Sequence, residues 1–300
     1  MIKQQIKNAW FAMFADHPLT YPGRVIVAML PRRSLARFQA DFFAKNQAEG
    51  LVARMIRAEL NRQYYSQSDA ERRRLNRERF WGGQAGAEWH ETQRQRQSGG
   101  TLSADFLKYR LPLVEQLKAL TAAGSRYTTL CEIGSGNGLF LQYLSRELPG
   151  IGRFVGLDLN RDQIARNRET YAGLGLEFAA GEVEEWLTQV SAPTIFVAVG
   201  TLECFTEAEL TDLLRRIRSL ATPAAVALCE PINFDLSTAT SSAPRGNTMY
   251  SHNYPGLLRG TGYTVFRQHV EPIDPAVPHY EMVAMVATTA PVAAAQGSLT

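Results

Sequence analysis

Long hydrophobic runs are missing from this sequence. The longest apolar run near the N-terminus extends from Val25 to Leu30 and ends at Pro31, far short of the roughly 20 residues that a membrane-spanning helix needs. No signal-peptide pattern of basic, apolar and small residues precedes it. Cysteine is also scarce, since Cys131, Cys204 and Cys229 are an odd number. We therefore expect free, mostly buried thiols in a reducing compartment, and a cytoplasmic protein.

Motifs for several common chemistries are missing as well. No cysteine or histidine pair has the spacing of metal ligands, so we expect no metal site, although acids from separate strands leave a cation-dependent enzyme open. No G-x-S-x-G elbow follows a predicted strand, which disfavours a serine nucleophile. Histidine is limited to His17, His90, His252, His269 and His279; the last two lie in or at a predicted strand and are taken as structural.

Charge is distributed unevenly along the chain. Residues 1–100 carry 17 Lys and Arg against 9 Asp and Glu, a net charge of +8, whereas the remaining residues carry −5. Such a basic region could face nucleic acid, an anionic membrane or an acidic substrate. A solvated helical surface rich in arginine explains it equally well.

The first third of the chain has helical periodicity. Apolar residues at positions 51, 55, 56 and 60 recur at the spacing of one helix face. Only Arg24 to Leu30 fits a strand. The patterns predict helices at Leu35 to Lys45, Gly50 to Tyr65, Asp69 to Trp81 and Ser103 to Ala123.

From Tyr127 onwards, predicted strands and helices alternate. Helices are predicted at Leu139 to Leu148, Arg161 to Tyr171 and Glu207 to Leu220, the last starting with Thr206 and Glu209 at the spacing of a capping box. The alternation predicts an α/β fold, a Rossmann-like and mostly parallel seven-stranded sheet with helices on both faces. The last two strands leave no room for a crossover helix and should be antiparallel. The strands are YTTLCEIG, GRFVGLDL, GLEFAAGE, APTIFVAVG, AAVALCEP, YTVFRQHVEP and HYEMVAMVAT.

Three glycines follow the first of these strands, in the stretch LCEIGSGNGLFLQYL. A phosphate-binding P-loop needs a Gly-Lys-Ser/Thr ending, but Leu139 and Phe140 stand where that ending would begin. The dinucleotide motif G-x-G-x-x-G also requires a small residue at position 139. Glycines at alternate positions allow positive φ and close approach of a ligand to the backbone. Glu132 before them suits a positively charged ligand and would repel a pyrophosphate.

The pattern Glu132-x-Gly134-x-Gly136-x-Gly138 resembles the first motif of class I S-adenosylmethionine-dependent methyltransferases. The resemblance extends over about residues 127 to 290 and implies S-adenosyl-L-methionine as the cofactor. We therefore expect residues 1–100 to be a helical region that serves as a lid, as part of the substrate site or in oligomerisation. Residues 101–290 would form the cofactor-binding methyltransferase domain, and residues 291–300 a flexible tail.

The resemblance also implies which residues bind the cofactor. Asp158, at the end of the second strand, would accept hydrogen bonds from the ribose hydroxyls, a role that alone also fits NAD. Glu182 stands where the family usually has an Asp that contacts the adenine amino group, although it could equally be a surface residue that begins the EVEEW helix. The Gly200–Thr201 segment would lie under the methionine end. The implied cofactor site comprises Glu132, Gly134, Ser135, Gly136, Gly138, Asp158, Leu159, Glu182, Val183, Gly200 and Thr201.

The substrate side contains the candidates for proton transfer. His252 lies in the long connection after the fifth strand and is the candidate general base, although it could instead cap the next helix. Glu203 and Glu230, at the ends of the fourth and fifth strands, could orient it or bind the substrate. Trp81, Trp89 and His90 could close over the cofactor as a lid or pack the helical region onto the sheet. Tyr250, Asn253 and Tyr254 complete the substrate and lid candidates.

These residues favour O-methylation of a small biosynthetic molecule. N- or C-methylation, a nucleotide-dependent oxidoreductase and a non-catalytic binding module remain alternatives. Nucleic acid is not expected as the substrate, because Gly-Thr-Leu-Glu stands where base amino-methyltransferases have [ND]-P-P-[YF]. The N-terminal segment MIKQQIKNAWFAMF mixes Lys with apolar residues and could contact a membrane surface or form a homodimer interface.

Overall fold

The computed structural model describes residues 19–44, 50–68, 71, 74–97, 102–122, 126–238, 240–245 and 249–289. These residues form two units, which divide between Gly86 and Ala87. The domain boundary placed near residue 100 remains a prediction. The proposed tail and the amphipathic segment at residues 1–14 lie outside the described residues.

The first unit contains helices only, in its described part. Apart from the first helix, they lie close to the stretches in which the sequence predicts helices, and the described residues between 71 and 81 are helical too. The elements are α1 (Thr20–Met29), α2 (Arg32–Ala44), α3 (Leu51–Ser66) and a π-helical turn (Asn76–Trp81). A further helix, α4 (Gln84–Arg96), begins in this unit and extends into the second.

The strand predicted from Arg24 to Leu30 is wrong, because this stretch forms most of α1. Its β-branched residues favour a strand, but α1 packs tightly on α3. A Cβ atom at Gly23 would lie 2.2 Å from the carbonyl oxygen of Met55, so only glycine lets the two helices approach this closely. Tertiary packing has outweighed local propensity here.

The second unit is built on the expected sheet. The strands are β1 (Thr129–Ile133), β2 (Arg153–Asp158), β3 (Leu176–Ala180), β4 (Thr194–Val199), β5 (Ala224–Asn233), β8 (Thr264–Pro272) and β9 (Tyr280–Thr288), in the order β3-β2-β1-β4-β5-β9-β8. Strands β1 to β5 are parallel, and β9 runs antiparallel to both β5 and β8. The predicted seven-stranded, mostly parallel sheet and its antiparallel final pair are confirmed.

Helices cover both faces of this sheet. The capping box that begins α10 is confirmed, since Thr206 and Glu209 exchange side-chain bonds to each other's backbone N–H. The single helix predicted from Ser103 to Ala123 is wrong. It is two helices, α5 and α6, and Pro112 lies in the first turn of the second, where its missing N–H costs nothing. The helices are α5 (Ala104–Lys108), α6 (Leu111–Thr121), α7 (Leu139–Glu147), α8 (Arg161–Thr170), α9 (Val183–Leu187), α10 (Glu207–Arg218) and α11 (Tyr254–Gly260).

A short hairpin was not predicted. Strands β6 (Ser242–Arg245) and β7 (Met249–His252) pair antiparallel within the long connection after β5. Strand β7 packs on the carboxyl end of β5 and on a 3₁₀ turn, Leu202–Cys204, that follows β4. The hairpin therefore covers the carboxyl end of the sheet.

The strand order also determines where a ligand can bind. Strands β2 and β3 lie on one side of β1, whereas β4 and β5 lie on the other. At such a reversal the two connections leave the sheet in opposite directions and open a crevice beyond the carboxyl ends of the strands. The glycine turn after β1 and the turn after β4 are the walls of this crevice.

Candidate active site

The glycine turn connects β1 to α7 in a left-handed backbone conformation. Gly134, Gly136 and Gly138 have φ values of 71°, 48° and 74°, which L side chains rarely adopt. Protein side chains already lie against each glycine: a Cβ would come within 2.3 Å of Thr201 at Gly134 and within 2.7 Å of His90 at Gly136. From the sequence alone, we expect these glycines to leave this space open for a ligand. The structure shows that the glycines are also required by the packing of the protein itself.

Asp158 lies at the end of β2, beside the glycine turn. One carboxylate oxygen accepts a hydrogen bond from the N–H of Gly136 and the other from the N–H of Asn160, both at 2.9 Å. The side chain is almost completely buried. Each oxygen has two lone pairs, so the carboxylate can still accept bonds from a ribose diol.

The carboxyl group of Glu132 lies beneath the turn. The residue is 3% exposed, and its carboxylate accepts a bond from the backbone N–H of Leu141. Burial, and next the charge of Asp158, raise the pKa of Glu132 to about 8. Its Oε2 has no hydrogen-bond partner among the described residues, and the placement of Glu132 against the cofactor's positive charge stays a prediction.

Of the three lid candidates, His90 is the one that reaches the glycine turn. Its ring lies on Gly136, and its carbonyl oxygen accepts a bond from Asn137 Nδ2 at 3.3 Å. Burial lowers the pKa of His90, against an opposing effect of Asp158. Trp89 packs edge-on against the His90 ring but is 44% exposed, and Trp81 belongs to the first unit. Helix α4, which carries His90 over the turn, was missed in the sequence.

The other implied cofactor residues surround the same crevice. Ser135 and Val183 are buried, Leu159 and Glu182 are half-buried, and Glu182 precedes α9 as its N-cap residue. Gly200 has a φ of 63° and begins the turn after β4, followed by Thr201. Ser135 Oγ is buried beside Gly156 of β2 and has no hydrogen-bond partner among the described residues.

Glu230, on β5, holds the backbone of the turn after β4 in place. It is completely buried in β5, and its Oε1 accepts hydrogen bonds from the N–H groups of Thr201 and Leu202, both at 2.9 Å. Burial raises the pKa of Glu230 to about 7, although these hydrogen bonds oppose the shift. Glu230 therefore positions the turn through Oε1, while its Oε2 has no hydrogen-bond partner among the described residues, and its role toward the substrate stays a prediction.

The assignment of His252 as the general base is contradicted by its surroundings. The side chain is completely buried. Its Nε2 donates to the carbonyl oxygen of Phe205 at 3.1 Å, and its Nδ1 lies 2.6 Å from Ser242 Oγ. Because a carbonyl only accepts, Nε2 carries the proton and Nδ1 accepts from Ser242. No lone pair remains for a substrate proton, and burial lowers the pKa of His252 to about 4.

The neighbours of His252 pack around its ring and cap the helix that follows. Tyr250 and Tyr254 pack against its ring at centroid distances of 5.6 and 5.5 Å. Asn253, rather than His252, caps α11, since its Oδ1 accepts from the N–H of Gly256 at 2.9 Å. Tyr254 is 1% exposed, and its hydroxyl has no hydrogen-bond partner among the described residues.

Two buried arginines at the carboxyl end of the sheet were not recognised in the sequence. Arg245, on β6, forms an ion pair with Glu203. Arg110, the N-cap residue of α6, stacks on Phe106 and interacts with the charge of Glu230. No local pattern marks either arginine in the sequence, and Arg245 reaches Glu203 only through the hairpin.

These residues fit an adenosyl cofactor. Asp158 supplies an acceptor for a diol, Ser135 a buried hydroxyl, and the turns after β1 and β4 provide closely approaching backbone around a crevice. Among the described residues, no three His, Cys, Asp or Glu side chains are grouped as metal ligands.

Residues 130–224 match the family model described as a methyltransferase domain. Magnesium protoporphyrin IX methyltransferase from Synechocystis PCC 6803, with bound S-adenosylmethionine, is 15% identical over 74% of this chain and 97% of its own, with a TM-score of 0.49. The 1,6-didemethyltoxoflavin-N1-methyltransferase from Burkholderia thailandensis is 16% identical over 74% and 90%, also with a TM-score of 0.49. No curated protein sequence matches the chain.

The family match runs from β1 to the first residue of β5. It therefore includes the glycine turn, Asp158 and the turn at Thr201, the parts that form the crevice. Residues 130–224 therefore carry a methyltransferase domain.

Proposed function

We propose that this enzyme transfers the methyl group of S-adenosylmethionine to an oxygen atom of a small biosynthetic molecule. In this proposal Asp158 binds the ribose hydroxyls and Glu182 the adenine amino group. The glycine turn, Gly200 and Thr201 hold the methionine part, and His90 lies over the cofactor. The protein's main contribution is to hold the acceptor oxygen, the methyl carbon and the sulfur in line.

A small acceptor is supported by the cover over the carboxyl end of the sheet. The hairpin β6–β7 lies across the end of β5 and the turn after β4. Glu203, Glu230 and Tyr254 beneath it are all buried. A nucleic acid strand or a folded protein would have to displace this hairpin, whereas a small molecule can be enclosed by it.

An oxygen acceptor is supported by two unused donors, and this observation carries the proposal. Arg245 Nε and the Tyr254 hydroxyl are buried without a hydrogen-bond partner among the described residues. An arginine N–H can only donate. A bound molecule that satisfies it must therefore present a lone pair, as a carboxylate, hydroxyl or carbonyl oxygen does.

The choice between oxygen and nitrogen can be tested with acceptors that offer both atoms. The purified protein would be given labelled S-adenosylmethionine with 4-aminophenol or 4-aminobenzoate, and the products identified by mass spectrometry. We expect the label on oxygen in each product that forms. The Asp158→Ala protein is the control for reaction without the enzyme's cofactor site. An N-methylated product would overturn the assignment to oxygen but not the methyltransferase activity.

We also propose that the reaction takes place in the cytoplasm, on a free small molecule and without nucleic acid. Among the described residues, no helix is both long enough and apolar enough to cross a membrane. Membrane contact and dimer formation through the N-terminal segment concern residues outside the described part of the chain. Vesicle co-sedimentation with and without residues 1–30 tests the membrane contact.

A further inference from the structure

Arg245 places a positive charge at the acceptor end of the crevice. Its side chain is 18% exposed, and its Nη2 forms the ion pair with Glu203, on the turn after β4. Arg245 also forms a side-chain hydrogen bond with Tyr280, and its charge interacts with Tyr280 and Tyr254. Thr201, two residues before Glu203, packs on Gly134 of the glycine turn. A short series of contacts therefore connects the cofactor crevice to Arg245.

Glu203 orients the guanidinium group of Arg245, but one N–H of this group lacks a hydrogen-bond partner among the described residues. Glu203 holds one end through Nη2, which also lies 3.7 Å from the sulfur of Met249. Nε, on the other edge, has no hydrogen-bond partner among the described residues, and the same is true of the nearby Tyr254 hydroxyl. Buried polar atoms without partners are rare in folded proteins. Arg245 Nε can only donate, and the Tyr254 hydroxyl can donate as well as accept, so one bound acceptor of hydrogen bonds satisfies both atoms.

The balance of buried charge favours an anion at this position. Arg110 is a second buried guanidinium group, close to Glu132 and Glu230. Burial raises the pKa of these two carboxyls to about 8 and about 7, so at neutral pH they compensate Arg110 only in part. The cofactor adds the charge of its sulfonium. Of the acids named here, only Glu203 is directly paired with an arginine.

The candidate bases at this end of the sheet are engaged in part. Nδ1 of His252 accepts from Ser242, and Glu203 is paired with Arg245. Glu230 holds two backbone N–H groups through Oε1, whereas its Oε2 has no hydrogen-bond partner among the described residues. An acceptor that is already ionised at neutral pH needs no base.

We propose that the acceptor is a small carboxylic acid, whose carboxylate binds to the Nε–H of Arg245 and the hydroxyl of Tyr254 and is converted to a methyl ester. This inference rests on the proposed methyltransferase function and specifies its substrate class. The carboxylate oxygen forms the new O–CH3 bond while the bond between the methyl carbon and sulfur breaks, and its electron pair stays on sulfur. The anion and the sulfonium give a neutral ester and S-adenosylhomocysteine, and no proton is transferred.

The test compares matched pairs of acids and primary amides as acceptors. The full-length protein would be incubated with S-adenosylmethionine labelled in the methyl group and with benzoate, 4-hydroxyphenylacetate, hexanoate or their amides. Calorimetric binding of S-adenosylhomocysteine is measured in parallel. We expect methyl esters from acids in the panel and no product from the amides.

Variants of Arg245 identify the group that binds the carboxylate. Arg245→Gln should lower kcat/KM for the best acid about 100-fold, since a buried charge partner is lost, and leave the affinity for S-adenosylhomocysteine within about twofold. Arg245→Lys keeps the charge and should retain more activity than the Gln variant. Arg267→Gln, at an exposed arginine of β8, is the matched control and should behave as wild type.

The outcomes separate this inference from the function on which it rests. If the protein does not bind S-adenosylhomocysteine, the proposed function itself is wrong. If it binds but methylates none of the acids, methylates amides equally well, or retains full activity on acids as Arg245→Gln, the carboxylate assignment alone is overturned.

Discussion

The carboxylate of Asp158 accepts a hydrogen bond from the N–H of Gly136 over 2.9 Å. This bond joins the carboxyl end of β2 to the middle of the glycine turn after β1. It places a negatively charged acceptor beside backbone that a ligand can approach closely. The two features that the sequence singled out for the cofactor, 22 residues apart, therefore form one continuous surface.

Replacing Asp158 should weaken cofactor binding. We expect Asp158→Ala to reduce the affinity for S-adenosylhomocysteine at least tenfold, because hydrogen bonds to a charged carboxylate contribute about 1.5–3 kcal/mol each. Isothermal titration calorimetry measures this directly. Asp162→Asn, at an exposed acid in the first turn of α8, serves as control. An unchanged dissociation constant for Asp158→Ala would remove Asp158 from the site.

The glycines of the turn should differ from other left-handed glycines in their tolerance of alanine. At Gly138 a Cβ would lie 2.7 Å from Tyr171 and 2.9 Å from Phe178. Gly173 has a similar φ of 79° with nothing within 4 Å. Gly173→Ala should cost about 1 kcal/mol, from backbone strain alone. Gly138→Ala should cost about 1–3 kcal/mol more through overpacking, and equal urea-unfolding free energies for the two variants would refute the packing described here.

His252 should make stability depend on pH. Its pKa is about 4 in the folded protein, against about 6.5 when unfolded. Below pH 6.5 the unfolded chain binds a proton that the folded protein excludes, so stability falls as the pH decreases towards 4. Between pH 7.5 and 5 the wild type should lose about 2 kcal/mol more than His252→Gln.

Urea unfolding at the two pH values measures this difference. His269→Gln, at an exposed histidine of β8, should keep the wild-type dependence. If His252→Gln folds normally and retains the full pH dependence, the buried and neutral state of His252 is incorrect.

Glu230 should make the protein less stable as the pH rises, whereas His252 makes it less stable as the pH falls. Its pKa is raised to about 7 in the folded protein, so the folded state holds a proton that the unfolded chain releases at about pH 4.3. The contribution of Glu230 to stability therefore decreases as the pH rises from about 4.3 to 7. Gln keeps an oxygen that can accept from Thr201 and Leu202 and does not titrate.

We therefore expect Glu230→Gln to gain stability relative to wild type as the pH is raised from 5 to 8. Thermal unfolding across this range measures the gain. Glu169→Gln, at an exposed position of α8, is the control and should show no such trend. A relative stability of Glu230→Gln that does not change with pH would mean that Glu230 is ionised in the folded protein.

The sheet could be predicted because the residue pattern within each strand is enough to identify it as a buried strand. All five residues of β1 are buried, as expected for a parallel strand covered on both faces, and the capping box of α10 is readable from Thr206 and Glu209. Helix α4 was missed because its sequence, QAGAEWHETQRQR, has no clear apolar stripe. The α1 helix was misread because Gly23 and its contact with α3 decide its conformation, and that contact is not visible in the sequence.

The sequence predicts the residues of the candidate site that belong to a local motif. It does not predict the contacts between residues that are far apart in the chain and meet only in the folded protein. The glycine turn and Asp158 follow from the ends of two adjacent strands. The environment of His252 depends on Phe205, 47 residues away, and Arg245 meets Glu203 only because β6 and β7 fold back over the turn after β4. Neither contact has a local signature.

The central claim is that the crevice between the turns after β1 and β4 binds an adenosyl methyl donor. Titrating the purified protein with S-adenosylhomocysteine and, separately, with NAD tests this claim most directly. The account predicts saturable binding of one S-adenosylhomocysteine per chain, weakened by Asp158→Ala, and no binding of NAD. Uptake of NAD, with no response to S-adenosylhomocysteine at millimolar concentration, would contradict it.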